Sequence, residues 1–230
     1  METGSEMPLK SLGQHWLNDD ALLEDIADQA DLNPGDSVLE IGPGPGGLTA
    51  KLITRAKDVV AVEVDKALIE QLKVKFNHVS NLKLVNADIR SFDLNDLPKG
   101  YKVVANIPYY LTSYLIRLLS EADNPPSLCV LLVQKEVAHR LAAIPGNMSI
   151  LSITAQIYWQ VDLGLIVPAE FFTPPPKVDS QVVKLTRRKE SLVPDELRER
   201  LFSLVKAGFS QKRKKLANTL PDNSHSLLAI

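Results

Sequence analysis

The chain of 230 residues carries a single cysteine, Cys129. One thiol excludes an internal disulfide framework and any zinc cluster built from cysteines, and it fits a reducing compartment. No apolar run approaches the roughly 18 residues that a bilayer span requires. The first ten residues, METGSEMPLK, have no apolar stretch and hold two glutamates against one lysine, so neither a signal peptide nor a transit peptide is expected. Internal repeats and low-complexity tracts are also lacking. These absences lead to the expectation of a cytoplasmic chain with no membrane partner and no metal. What is present is ordinary for a globular domain: 45% hydrophobic and 23% charged residues, enough to bury a sizeable core and to exclude a disordered chain.

The formal net charge of −2 argues weakly against a nucleic-acid partner, but the average conceals an asymmetry. Residues 1–183 hold 15 Lys/Arg against 23 Asp/Glu, whereas residues 184–216 hold 11 Lys/Arg against 4 acids, a net of +7. An acidic body is joined to a basic C-terminal segment.

Periodicity alternates between strands and helices. Short β-rich apolar runs fall at Val38–Ile41, Val59–Val64, Leu82–Val85, Tyr101–Ala105 and Leu128–Val133. Helical patterns lie at Asp19–Ala30, Gly47–Ala56, Lys66–Phe76 and Leu111–Glu121. Strands separated by helices of about ten residues predict an α/β fold with a parallel sheet covered on both faces. Two later runs, Tyr158–Val167 and Val178–Leu185, are joined by the proline-rich Phe172–Pro176 and predict an antiparallel pair closing one edge. From Pro194 onward the pattern is helical, with a domain boundary near Lys189–Pro194.

The first strand runs into Glu40-Ile41-Gly42-Pro43-Gly44-Pro45-Gly46-Gly47-Leu48-Thr49. Glycines after a strand allow a tight turn and let a ligand approach bare backbone. Gly42, Gly44 and Gly47 satisfy G-x-G-x-x-G, by itself a weak dinucleotide signal. Glu63, 21 residues after Gly42, ends the second strand, where a carboxylate can accept both hydroxyls of an adenosine ribose. Asp88 ends the third, where it can accept a hydrogen bond from an adenine amino group. The loop and two acids leave two ligands open, a nicotinamide dinucleotide or S-adenosylmethionine.

The fourth strand ends in Asn106-Ile107-Pro108-Tyr109-Tyr110. Hydride transfer has no use for Asn-x-Pro-Tyr at this place, whereas methyl transfer to an exocyclic amine does. The Asn106 side-chain carbonyl and the Ile107 backbone carbonyl can accept two amino hydrogens, and Pro108 restricts Ile107 to an extended conformation. Tyr109 offers a face on which a flipped-out base can stack.

Taken in order, Lys10-Ser11-Leu12-Gly13-Gln14-His15-Trp16-Leu17, EIGPGPGGLT, VEVD, NAD, NIPYY, LLVQKEVAHRLAA and FFTPPPKVDS resemble the ribosomal RNA adenine N6,N6-dimethyltransferases of the KsgA type, over roughly residues 10–220. Enzymes that confer macrolide resistance by methylating large-subunit rRNA share the core, but QKEVA and PKVDS are closer to the small-subunit branch. The resemblance implies dimethylation of two adjacent adenosines near the 3′ end of small-subunit rRNA, with S-adenosylmethionine as cofactor, a 30S-type pre-ribosomal particle as partner and a monomeric enzyme. It implies a Rossmann-like methyltransferase domain over residues 1–190, with residues 1–18 contributing to the cofactor site, and a small helical RNA-contacting domain over 191–230. By the same resemblance His15, Leu17, Gly42, Gly44, Glu63, Asp88 and Asn106 hold the cofactor. Asn106, Ile107, Pro108 and Tyr109 act on the base, and Phe172 forms a second aromatic wall opposite Tyr109. Trp16 stands where the family more often has Phe.

Phe209-Ser210-Gln211-Lys212-Arg213-Lys214-Lys215 matches the family's Phe-Ser-Gln-Arg-Arg-Lys-type signature. A helix over 202–220 would align Phe202, Val205, Phe209, Leu216 and Leu220 on one face and free Lys214 and Lys215 for phosphate. Arg187, Arg188, Lys212, Arg213, Lys214 and Lys215 are therefore the expected RNA contacts, positioning the backbone without reading sequence. The family's longer C-terminal domain has no counterpart after Pro221, so this domain is expected to be shortened. The rival readings are an NAD-dependent oxidoreductase, a large-subunit methylase of the resistance type, and a non-catalytic ribosome-assembly factor.

Overall fold

The computed structural model describes residues 14–210 of the chain. Seven strands form one sheet: β2 (Ser37–Ile41), β3 (Asp58–Glu63), β4 (Leu82–Asn86), β5 (Lys102–Asn106), β6 (Leu128–Gln134), β7 (Trp159–Val167) and β9 (Ser180–Arg187). Their spatial order is β4-β3-β2-β5-β6-β9-β7. The first five are parallel, while β9 runs antiparallel to both β6 and β7. A second, two-stranded sheet pairs β1 (Trp16–Leu17) antiparallel with β8 (Phe172–Thr173).

The central strands are apolar on both sides because both faces are covered. In β6, Cys129, Leu131 and Val133 enter one core cluster, and Leu128, Val130 and Leu132 the other. β2, β5 and β9 alternate in the same way, as the period of two requires. The helices α1 (Asp20–Asp28) and α2 (Gly47–Leu52) cover one face. The other is covered by α4 (Thr112–Glu121), α5 (Lys135–Leu141) and α6 (Ile150–Tyr158). Helix α3 (Lys66–Lys75) packs on β3 and β4. Helix α1 starts where the Asp19 carboxylate accepts from the Leu22 N–H at 2.9 Å, and Asp65 caps α3 in the same manner.

The late β-rich runs do form an antiparallel pair at one edge, but β9 lies inside it, between β6 and β7. Helices α5 and α6 are additions to the expected pattern. Ile150–Tyr158 is rich in β-branched residues, which masks its helical nature, yet a Ser149–Ser152 capping box starts it. Helix α7 (Asp195–Phe209) begins directly after Pro194, and Leu201 and Phe202 pack against the same core cluster as α6. Phe202 and Phe209 of the expected seam thus fall in α7, whereas Leu216, Leu220 and the basic run Lys212–Lys215 lie outside the described residues.

The loop between β2 and α2 depends on backbone shape. Gly42, Gly44 and Gly46 all have positive φ, and a Cβ at Gly46 would approach Leu72 Cδ2 to 2.6 Å and Phe76 Cε2 to 2.8 Å. Gly46→Ala therefore imposes left-handed strain and an overlap together, and it should lower unfolding free energy by about 2 kcal/mol or more. Gly35→Ala, with nothing within 4 Å of the added carbon, should cost far less. Urea midpoints of the two variants test the contrast.

Candidate active site

The chain runs outward from β2 to β3 to β4, then returns to place β5 on the other side of β2. Ligands on such sheets sit at this switch point, beyond the carboxyl ends of the strands. A pocket opens there, lined by the glycine loop, Glu63, Asp88, Asn106–Leu111 and the N-terminal Gln14–Leu17 segment. The structure thus brings His15, Leu17, Gly42, Gly44, Glu63, Asp88, Asn106, Ile107, Pro108 and Tyr109 to one cavity.

Glu63 is almost fully buried; its Oε2 accepts from the Gly44 N–H at 3.3 Å and its Oε1 from the Asp65 N–H at 3.0 Å. Burial still pushes its carboxyl above the ordinary range. Asp88 is the opposite case. Its carboxylate accepts from Arg90 Nε at 2.9 and 3.0 Å, and the guanidinium holds it below the usual value. Lys75 Nζ donates to the Pro45 carbonyl at 2.8 Å and so pins the crown of the loop to α3.

Asn106 Nδ2 donates to the His15 carbonyl at 3.1 Å, leaving the side-chain oxygen as the acceptor available to a ligand. His15 Nδ1 in turn donates to the Pro174 carbonyl at 2.6 Å, and Asn18 Nδ2 to Thr173 Oγ1 at 2.9 Å. With the β1–β8 pairing, these bonds strap the N-terminal segment across the sheet's carboxyl edge. Tyr109 is held from the other side by a 3.0 Å hydrogen bond between its hydroxyl and buried Ser180 Oγ. Desolvation raises that phenol's pKa.

The ring facing Tyr109 is His15, with centroids 5.6 Å apart and planes 21° from parallel. This corrects the expectation that Phe172 forms the second wall. Pairing of β8 with β1 sets Phe172 opposite Leu17, and both side chains enter the apolar cluster of the α1–α2 face. Phe172 is 3% exposed, whereas the adjacent Phe171 is 36% exposed. The His15–Tyr109 spacing is less than the two stacking intervals a third ring needs, so no base fits between them as they stand.

Arg187 and Arg188 lie away from the pocket. Strand β9 starts at the pocket end, with Ser180 opposite Gln134, and finishes seven residues later at the far end of the sheet, roughly 23 Å away. Arg187 Nη1 donates to the Ser120 carbonyl at 3.0 Å, and its guanidinium lies 5.0 Å from the Tyr158 and Trp159 ring centroids. Arg188 Nε donates to the Gln156 carbonyl at 3.0 Å. Both serve the packing of the body.

Two pocket residues were not among the expected set. Glu40 is 1% exposed, and neither carboxyl oxygen nor the neighbouring Thr49 hydroxyl completes a well-formed hydrogen bond among the described residues. The indole N–H of Trp16 is likewise buried without a partner, with its ring edge 3.3 Å from where a Gly44 Cβ would stand. The signal for Glu40 was an acid in the otherwise apolar strand SVLEI. An unpaired donor and acceptor beside a bare glycine backbone fit a cofactor that carries an α-amino-acid group. Among the described residues, no cluster of three or more His, Cys, Asp or Glu could hold a metal ion.

Desolvation pushes the Glu40 carboxyl up to about 8, from an ordinary 4.5. Between those values the folded chain keeps a proton that the unfolded chain has lost, so stability falls as pH rises through the window. Glu63 acts in the same direction. Glu40→Gln should flatten this slope, read as the pH dependence of the urea midpoint.

The model of the ribosomal RNA adenine dimethylase family matches residues 8–227. Among curated proteins, the chain is 45% identical over 227 residues to a ribosomal RNA small subunit methyltransferase A of Prochlorococcus marinus, covering 93% of this chain and 77% of that protein. Among solved structures it is similar to a dimethyladenosine transferase from Plasmodium falciparum, with 33% identity, a TM-score of 0.80, and 89% and 74% of the two chains covered. It is also similar to the 23S rRNA methyltransferase ErmE, at 31% identity and a TM-score of 0.77, covering 87% and 81%. Matched over nearly its whole length, with the Rossmann-like methyltransferase sheet and an Asn-Ile-Pro-Tyr turn at its switch point, the chain belongs to the ribosomal RNA adenine dimethylase family.

Proposed function

We propose that this chain uses S-adenosylmethionine to dimethylate N6 of two adjacent adenosines near the 3′ end of small-subunit rRNA, as a step of small-subunit biogenesis. The observation that carries this reading is the turn at the end of β5. There the free Asn106 side-chain oxygen and the Tyr109 ring line the same pocket as the glycine loop and Glu63.

The cofactor would be held by the Gly42–Gly47 loop, Glu63, Asp88, His15, Leu17 and Asn106, and it supplies an electrophilic methyl group on a sulfonium. The chain's own residues make the amine reactive. Adenine N6 is a poor nucleophile because its lone pair is delocalised into the ring. Acceptance of the two amino hydrogens by Asn106 Oδ1 and the Ile107 carbonyl localises that pair and aims it. Pro108, extended at φ −55° and ψ 129°, directs the chain from this turn to Tyr109. Tyr109, braced by Ser180, supplies the stacking face once the His15 ring has moved aside. No general base of matched pKa is needed, since the proton leaves only after N6 has become cationic. Orientation and preorganised dipoles do the work.

The similarity to a 23S rRNA methyltransferase favours a second reading, an adenine in large-subunit rRNA. The deciding experiment incubates the protein and labelled S-adenosylmethionine with undermethylated 30S or 50S subunits and maps the modified nucleotide. Label at adjacent 16S adenosines is expected, and label in 50S subunits alone would overturn the small-subunit reading.

Asn106→Ala should reduce methyl transfer at least 100-fold, on the scale of losing one preorganised polar group, while the cofactor Kd stays within a few-fold. Steady-state rates and equilibrium dialysis separate the two effects. In the same reading, residues 191–230 form an RNA-contacting unit. Neutralising Lys212–Lys215 should weaken RNA binding and flatten its salt dependence, each lost phosphate contact lowering the slope by roughly 0.7–0.9. An unchanged slope would assign that run to solvent.

A further inference from the structure

Helix α4 and the turn before it present an exposed stripe that the proposed chemistry does not use. Tyr110 is 66% exposed, Tyr114 is 42% exposed and Arg117 is also exposed, while Thr112, Leu115 and Ile116 between them are buried. Spacings of four and three residues set Tyr110, Tyr114 and Arg117 in a row along one side of the element. Tyr110 lines the pocket beside Tyr109, and α4 carries the row away from the pocket mouth. Arg90, also lining the pocket, lies within Coulombic reach of both tyrosine hydroxyls. Its guanidinium is fixed by the fork of hydrogen bonds to Asp88, so it meets a ligand as an ordered plane. Arg117 is steadied by Glu121, one turn further along.

Large apolar rings left in water need a reason, and two of them leading from a base-sized pocket to a cation have the chemistry of single-stranded RNA recognition. Unstacked bases lie on aromatic faces, and guanidinium groups meet bases or phosphates. A protein partner would favour an apolar patch, whereas this row is bounded by Arg90 at one end and Arg117 at the other. We propose that Tyr110 and Tyr114 form a stacking platform for the nucleobases next to the target adenosine, with Arg90 and Arg117 taking the adjoining backbone. The platform holds the neighbours of a flipped base apart and so lowers the cost of keeping that base out of the stack. This inference rests on the proposed RNA-methylating function of the pocket.

The test uses the full chain and a hairpin RNA with two adjacent loop adenosines, intact or with the nucleotide beside them made abasic. Kd and methyl transfer are measured for wild type, Tyr114→Ala, Tyr114→Phe and Tyr110→Ala/Tyr114→Ala. Loss of one stacked base corresponds to about 5- to 100-fold. Tyr114→Ala should therefore raise the Kd and KM for intact RNA by that factor, with kcat and cofactor Kd within about two-fold. Tyr114→Phe, which keeps the ring, should behave as wild type. The abasic hairpin should bind wild type correspondingly weakly and the double variant with little further loss. Equal abasic penalties in wild type and double variant, or an unchanged Kd in both alanine proteins, would overturn the platform. Failure of wild type to methylate adenosine in the intact hairpin would instead count against the proposed function, while the Kd comparison still judges the platform.

Discussion

The parallel pairing of β2 with β5 is the contact on which the rest of the molecule turns. It is made by three register pairs, Val38 with Lys102 through Glu40 with Val104, yet it joins segments more than sixty residues apart in sequence. Because β3 and β4 have already filled the other side of β2, β5 can lie only where the strand order reverses. The pairing sets the glycine loop beside the Asn106 turn, so closely that a Cβ on Gly42 would stand 4.0 Å from the Asn106 carbonyl oxygen. The loop and the turn thus share a single wall of the pocket, and neither is positioned without the other.

Polarity within that wall is arranged by opposites. Glu40 and Glu63 are carboxyls driven toward neutrality by burial, whereas Asp88 at the mouth is kept ionised by Arg90. Hydrogen bonds to backbone N–H groups offset part of the cost for Glu63, whereas for Glu40 desolvation outweighs what Thr49 and Lys75 return. A buried polar group left unpaired costs on the order of 1–3 kcal/mol. That strain sits at the base of the pocket, while the apolar sheet around it, with Cys129 and Val130–Val133 inaccessible to solvent, supplies the stability that tolerates it.

Much of this was legible in the chain because the relevant signals are local. The βαβ alternation, the loop at Gly42–Gly47 and the strand-end acids Glu63 and Asp88 follow from short stretches with their own periodicity or turn chemistry. Asn106–Tyr109 was readable for the same reason. What escaped depends on contacts between distant segments. Phe172 reads as a wall opposite Tyr109 until β8 pairs with β1 and turns it inward beside Leu17. His15 reads only as a cofactor contact, and the meeting of its ring with Tyr109 shows only in the fold. Arg187 contributes to a basic count in sequence, but the direction of β9 removes it to the far end of the sheet and beneath the rings of Tyr158 and Trp159. Helix α6 was hidden by its own isoleucines, whose preference for strands yields to burial on the sheet.

The interposition of β9 between β6 and β7 has a consequence for how the chain assembles. Strand β7 is made before β9, yet among the described residues its one neighbour in the sheet is β9. All partners of the parallel half precede Gln134, whereas Trp159–Val167 has no strand partner in the chain until Ser180–Arg187 has been made. The segment carrying Phe172–Thr173 lies between these two strands, and with it the anchor for the Trp16–Leu17 strap. The Trp16–Leu17 strap and the sheet edge therefore both depend on segments that follow β6 in the chain.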